Sequence, residues 1–212
     1  VILTNLGALS IKLNLMDDAK NFYIQLLNAA KIEPIDRNSE LIALNNISIV
    51  SYNLGQVTEA IEYWEKTLEL GKARGSAQVV LDALINLSNL HYQLKQFDKS
   101  AQYHESYISV SKQLGDVGAL AKSYLGIAEV QEKLNDYDKA REYYAEALKL
   151  YQQKNDNEGL ANVNILIGRT FQAQQKYQQA LEFYNANLEV ESTLETRSLA
   201  ASLQGKADVL RM

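Results

Sequence analysis

Apolar residues recur along this chain at helical spacing, three and four apart, and not in the alternation that marks strands. The run from Asn135 to Leu150 reads as a short polar turn followed by one amphipathic helix, and the same phrase returns with different letters along the sequence. Ala19, Ala60, Ser100, Ala140 and Ala180 occupy one equivalent position, in steps of 41, 40, 40 and 40 residues. A fixed period of this size predicts stacked structural repeats.

Each repeat reads as two helices. Twelve residues before the marker position stands a small residue (Gly7, Ser48, Ser88, Ala128, Gly168), preceded by an aliphatic (Leu6, Ile47, Leu87, Ile127, Ile167). Four residues after the marker comes a large or ring side chain: Tyr23, Trp64, His104, Tyr144 and Tyr184. Antiparallel helices approach closely only where side chains are small, and the rings then fill the space beside that contact. Breaks inside repeats fall at Asn14, Gly55, Lys95, Asn135 and Gln175. Between repeats, Gly75, Gly115 and Asn155 supply left-handed helix ends, followed by Ser76, Asp116 and Asp156 as N-caps. The first junction, Glu33-Pro34-Ile35-Asp36, is broken by the only proline.

The spacing predicts helices over 1–13, 16–32, 38–54, 57–73, 77–94, 97–113, 117–134, 137–153, 157–174, 177–192 and 196–211. The last resembles the first half of a sixth repeat, with Lys206 where an aliphatic is usual. The expected organisation is a single array over 1–212, with repeats at about 1–34, 35–75, 76–115, 116–155 and 156–195 and a terminal helix or half repeat over 196–212. The chain opens at Val1-Ile2-Leu3, already inside a helical pattern, and reads as a fragment of a longer chain.

These features together resemble the tetratricopeptide repeat, in a 40-residue form similar to the repeats of kinesin light chains, Pins-type adaptors and bacterial regulators. The departures are Ser100 for the marker alanine, and Leu26, Thr67, Tyr107 and Asn187 where alanine is usual seven residues on. The resemblance implies an all-α, right-handed superhelical solenoid of antiparallel helix pairs, about eleven helices in all. It also implies that first helices line a concave wall where a peptide or a partner's helix lies.

On the helix at 77–94, Leu84, Leu87, Ser88, His91 and Leu94 share the face expected to pack inside the repeat. Asp82, Ile85, Asn86, Asn89 and Gln93 share the opposite face. The same split places Ile42, Asn45, Asn46, Ile49 and Asn53 outward in repeat two, with Tyr52 at the edge. Repeat four offers Lys122, Leu125, Glu129, Glu132 and Lys133, and repeat five Asn162, Ile165, Arg169 and Gln172. Asn5, Asn46 and Asn86 recur at one position in three repeats. An asparagine carries both donor and acceptor, so a ladder of them can hold a peptide backbone; equally, it can bond neighbouring helices and only set their spacing.

Composition narrows the chemistry. There is no cysteine, which removes disulfides and thiolate catalysis and fits a reducing, cytoplasmic setting. Net charge is −5 with acids and bases intermixed, so no basic patch for nucleic acid is expected. No apolar run reaches membrane-spanning length. His91 and His104 fall on packing positions, as do Trp64 and most of the tyrosines, including Tyr63, Tyr103, Tyr143 and Tyr144. Asp136 and Asp138 sit at a helix start, where the dipole favours acids. No catalytic, metal or cofactor motif is present. The expectation is a non-enzymatic binding module for a peptide or protein partner. The alternatives are a ligand-sensing domain of a larger bacterial signalling protein, or self-assembly through exposed terminal helices.

Overall fold

The computed structural model describes residues 1–32, 38–188 and 196–211. Among the described residues eleven helices follow in order. They are α1 (Ile2–Lys12), α2 (Met16–Ile32), α3 (Ser39–Asn53), α4 (Val57–Arg74), α5 (Ala77–Gln93), α6 (Phe97–Leu114), α7 (Val117–Lys133), α8 (Tyr137–Gln153), α9 (Asn157–Ala173), α10 (Tyr177–Leu188) and α11 (Thr196–Leu210). The predicted boundaries hold to about a residue. The Glu33–Asp36 junction and the expected end of the tenth helix, at 189–192, lie outside the described residues.

The chain divides into two compact units, Val1–Lys95 and Gln96–Met212. Within each, every helix packs chiefly on its neighbours in sequence, as an antiparallel helical-repeat solenoid does. The core of the first unit joins Ala19, Tyr23 and Leu27 of α2 to Ala43, Leu44, Ile47 and Val50 of α3. In the second unit, Tyr124, Ile127 and Ala128 of α7 pack with Ala140, Tyr144 and Ala147 of α8 and with Val163 and Ile167 of α9.

The small-residue notches are filled by rings. A β-carbon added at Gly7 would lie 2.5 Å from Tyr23 Cζ, and one at Gly168 would lie 2.7 Å from Tyr184 Cε1. The rings also reach forward to the next repeat. A β-carbon at Gly205 of α11 would meet Tyr184 Cζ at 2.5 Å, and one at Gly126 of α7 would overlap the His104 ring. Tyr184 is thus wedged between its own first helix and the following one.

The turns bear out the left-handed expectation more widely than residue type suggests. Asn14, Asn135 and Asn155, but also Lys95 (φ 58°) and Gln175 (φ 59°), adopt positive φ, as do Gly55, Gly75 and Gly115. Two of the three expected N-caps are made: Asp116 accepts from Ala119 N at 2.9 Å and Asp156 from Gly159 N at 2.8 Å. Asp136 also caps, accepting from Lys139 N at 3.2 Å, while Asp138 pairs with Arg141. Ser76 stands at an N-cap without a side-chain cap bond, a correction to its expected role. Leu94, expected inside, is 39% exposed, because it is the C-cap residue beyond the packed face of α5.

Asn187, the outlier at an alanine position, is buried and used. Its Nδ2 donates to Ala161 O at 2.9 Å and to Ser202 Oγ at 3.0 Å, and its Oδ1 accepts from Asn164 Nδ2 at 2.9 Å. One amide therefore ties α9, α10 and α11 together.

Two expectations follow from the His104 wedge. Gly126→Ala lowers unfolding free energy by about 1–3 kcal/mol through overpacking. In a His104→Ala background the same change is neutral or stabilising, because alanine is the better helix former; urea titration of the four proteins checks the sign reversal. Burial also holds the His104 pKa down at about 4, from 6.5. The unfolded chain then takes up the proton first, so stability is full above pH 6.5 and is lost as pH falls toward 4. By linkage His104 makes the protein about 2 kcal/mol less stable at pH 5 than at pH 7.5, a slope that His104→Gln removes from the urea midpoints.

Candidate functional site

In the first unit, α3 buries Leu41, Leu44, Ile47, Ser48 and Ser51 and leaves Ile42, Tyr52 and Asn53 exposed, with Asn45, Asn46 and Ile49 half-buried. On α5, Asp82, Asn89 and Gln93 are exposed, while Ile85 and Asn86 are half-buried. These two faces meet above α4. Ile49, Tyr52 and Asn53 of α3, with Asn86, Asn89 and Gln93 of α5, line a groove of about 380 Å³ whose wall also includes Trp64 and Leu90. None of its lining residues is charged.

Trp64 is 3% exposed, and its buried indole N–H has no acceptor among the described residues. Its ring stands 6.0 Å from that of Tyr52, tilted by 47°. Tyr52 Oη donates to Gln93 Oε1 at 2.8 Å, which spans α3 and α5 at the groove edge. Asn53, Asn86 and Asn89 have no hydrogen-bond partner among the described residues.

The asparagines of the ladder differ from one another. Asn46 donates its Nδ2 to Ile42 O, at 2.8 Å in its own helix. Asn45 Oδ1 is buried without a partner among the described residues. Asn5 is exposed on α1. The ladder stops at the fourth repeat because Gly126 stands there, its side-chain space taken by His104.

In the second unit, α7 exposes Lys122, Glu129 and Lys133. The Glu129 pKa is raised, first by partial burial of its carboxyl and then by Glu132, with Lys133 opposing. Thr170 of α9 donates to Glu132, so that acid is tied to the next repeat. Asn162 and Arg169 of α9 line a cavity of about 630 Å³ with Tyr184 of α10 and Arg197, Gln204 and Asp208 of α11. Ile165 also lines it, although only 8% exposed. Tyr184 Oη donates to Gln172 Oε1 at 3.0 Å. Burial raises the Tyr184 pKa, and the Arg169 guanidinium partly offsets the rise.

Six of the sequence-predicted residues therefore meet at the first groove, and four (Asn162, Ile165, Arg169 and Gln172) at the second cavity. Asn5, Asn45, Asn46, Asp82, Ile85, Lys122, Glu129 and Lys133 lie on helix faces outside these two linings. Sequence reasoning missed Trp64 and Tyr184 as lining residues, since both sit at packing positions and carry no surface signal. Among the described residues no group of three or more His, Asp or Glu is placed to hold a metal, and no helix is long and apolar enough to cross a membrane.

A sequence profile of the tetratricopeptide repeat family matches residues 39–113 and 119–190. Comparison with curated proteins finds no match. Among solved structures, the apo form of RapI is similar at a TM-score of 0.82 and 15% identity, covering 99% of this chain and 60% of RapI. A signal transduction ATPase with numerous domains from Pyrococcus horikoshii, which has a tetratricopeptide repeat sensor, is similar at a TM-score of 0.81 and 16% identity, covering 98% of this chain and 32% of that one. A Rap protein complexed with competence and sporulation factor is similar at a TM-score of 0.61 and 16% identity, covering 92% of this chain and 52% of its own. At these identities the likeness is one of fold, and the chain spans 60% or less of each of these three proteins.

Proposed function

The chain belongs to the tetratricopeptide repeat family, and from that premise we propose that it is a protein-interaction module that holds an extended peptide segment of a partner against the exposed faces of its first helices. The observation that carries this reading is the groove between α3 and α5. Three amides there (Asn53, Asn86 and Asn89) retain both donor and acceptor capacity. Such groups pair with the N–H and C=O of an extended backbone and are indifferent to its side chains. The Trp64 N–H adds a buried donor with no acceptor among the described residues, which is costly unless a ligand or water meets it. The uncharged lining favours a neutral stretch of partner at this point. Asn46 contributes less than its place in the ladder suggests, because one of its two N–H donors is used on Ile42 O.

A sensing role within a larger signalling protein is the second reading. It is favoured by the likeness to a protein with a tetratricopeptide repeat sensor and to a Rap protein complexed with competence and sporulation factor. Capture and sensing then use the same groove, and an attached module reads the change. Self-association is the third, drawn from α1 and its C-cap, which leave Ile2, Leu9 and Leu13 exposed.

Trp64 is the only tryptophan of the chain, so its emission reports on the groove directly. Linear peptides selected from a random display library against the purified chain are expected to shift or quench that emission saturably. The Asn86→Ala/Asn89→Ala double variant weakens them by about tenfold, the scale of one or two lost hydrogen bonds, with far-UV circular dichroism unchanged. Peptides that bind with Trp64 silent and the double variant at full affinity would refute the groove as the binding surface.

A further inference from the structure

A second groove, of about 600 Å³, lies in the unit Gln96–Met212, between α6 and α8. Its lining comes from one face of each helix at helical spacing: Glu105, Ile108 and Lys112 from α6, and Glu142, Tyr143 and Glu146 from α8. Tyr124 of α7 completes the wall. On α7, Tyr124 is buried on the side away from Lys122, Glu129 and Lys133, so this groove is distinct from the stripe on which partner capture was argued above.

Three observations bear on what the groove takes. The Tyr124 and Tyr143 rings are stacked, with centroids 6.1 Å apart and 28° between planes. Lys112 Nζ already stands over the Tyr124 ring, 5.7 Å from its centroid, so this aromatic surface draws a cation even within the chain. Tyr124 is only 7% exposed, and its hydroxyl makes no hydrogen bond among the described residues.

The rim is acidic and underused. Glu146 is paired with Lys149 at 2.5 Å. Glu105 and Glu142 have neither an ion-pair nor a hydrogen-bond partner among the described residues. The surrounding field is felt by Tyr143, whose pKa is raised by burial first and by Glu105 next, with Lys139 opposing and Tyr124 and Glu142 adding to the rise. Carboxylates beside an aromatic face suit a guanidinium better than an ammonium. The planar group stacks on the ring and donates several N–H bonds at once, and it loses less hydration than lysine does.

We propose that the α6–α8 groove is a docking site for an arginine side chain on a basic segment of a partner protein, stacked on Tyr143 and paired with Glu105 and Glu142. Lys112, over the adjoining Tyr124 ring, is the resident cation that repels such an arginine. The site is independent of the peptide groove between α3 and α5, and either stands if the other fails.

The test uses fluorescein-labelled hexa-arginine, with hexa-lysine for comparison, followed by anisotropy against the whole chain at physiological ionic strength. Hexa-arginine is expected to bind more tightly than hexa-lysine. Glu105→Gln/Glu142→Gln weakens it by about tenfold or more, as loss of charge-assisted contacts requires, and Lys112→Ala tightens it. Glu62→Gln/Glu182→Gln removes the same charge from exposed positions elsewhere and leaves affinity within about twofold, the scale of screened surface charges. Equal loss in the two double variants would reduce the effect to general attraction by an acidic protein and overturn the proposal. So would the absence of hexa-arginine binding, or equal affinity for the two peptides.

Discussion

The structure depends on one recurring contact, a ring from a second helix set into a notch of small residues on a neighbouring first helix. Tyr23 against Gly7 and Tyr184 against Gly168 and Gly205 are the clearest instances. Close packing makes such a contact discriminating, because an added methyl has nowhere to go. It also sets the helix spacing within a pair and, through the forward reach of Tyr184 and His104, the spacing between pairs. His104 shows how far the site will go to be filled. A histidine is accepted there in its neutral form, and its low pKa records what that burial costs the charged form.

The same contact settles what remains for binding. One face of each first helix is consumed by the rings and by the neighbouring second helices. The opposite face is less fully covered, and in α3 and α5 its side chains are half-buried or exposed. In α3 and α5 that face carries amides, isoleucines, a tyrosine and a single acid, Asp82; in α7 and α9 it carries more charge, of both signs. The neutral groove over Trp64 and the mixed-charge cavity beside Arg169 differ because composition on this face is free to vary while the notch positions are not. The acidic, tyrosine-floored groove between α6 and α8 belongs to the second helices and follows a different logic, with the rims of core aromatics becoming surface where two helices part.

Most of the helical plan was legible because it is periodic. Spacing alone placed the helix boundaries, the eight left-handed turns and the inward and outward faces. Legibility failed where a side chain chooses among partners that only the folded neighbours supply. Nothing local marks Ser76 as a cap that goes unused, or Asn187 as an amide joining three helices. Asn46 and Asn86 share a repeat position, yet one bonds its own helix and the other faces a groove. Tyr143, grouped with the core rings by position, is half-buried and stacks on Tyr124 at a surface. A repeat predicts where a residue stands and leaves open what it touches.

The central claim is that the ring-and-notch packing leaves the outward faces of the first helices free for a ligand. Hydrogen–deuterium exchange of the chain with and without a bound linear peptide tests it most directly. Within the unit Val1–Lys95, added protection concentrated in α3 and α5 around residues 42–53 and 82–93, with α2 and α4 unchanged, is the expected result. Protection confined to α2 and α4, or spread evenly over the unit, would contradict it.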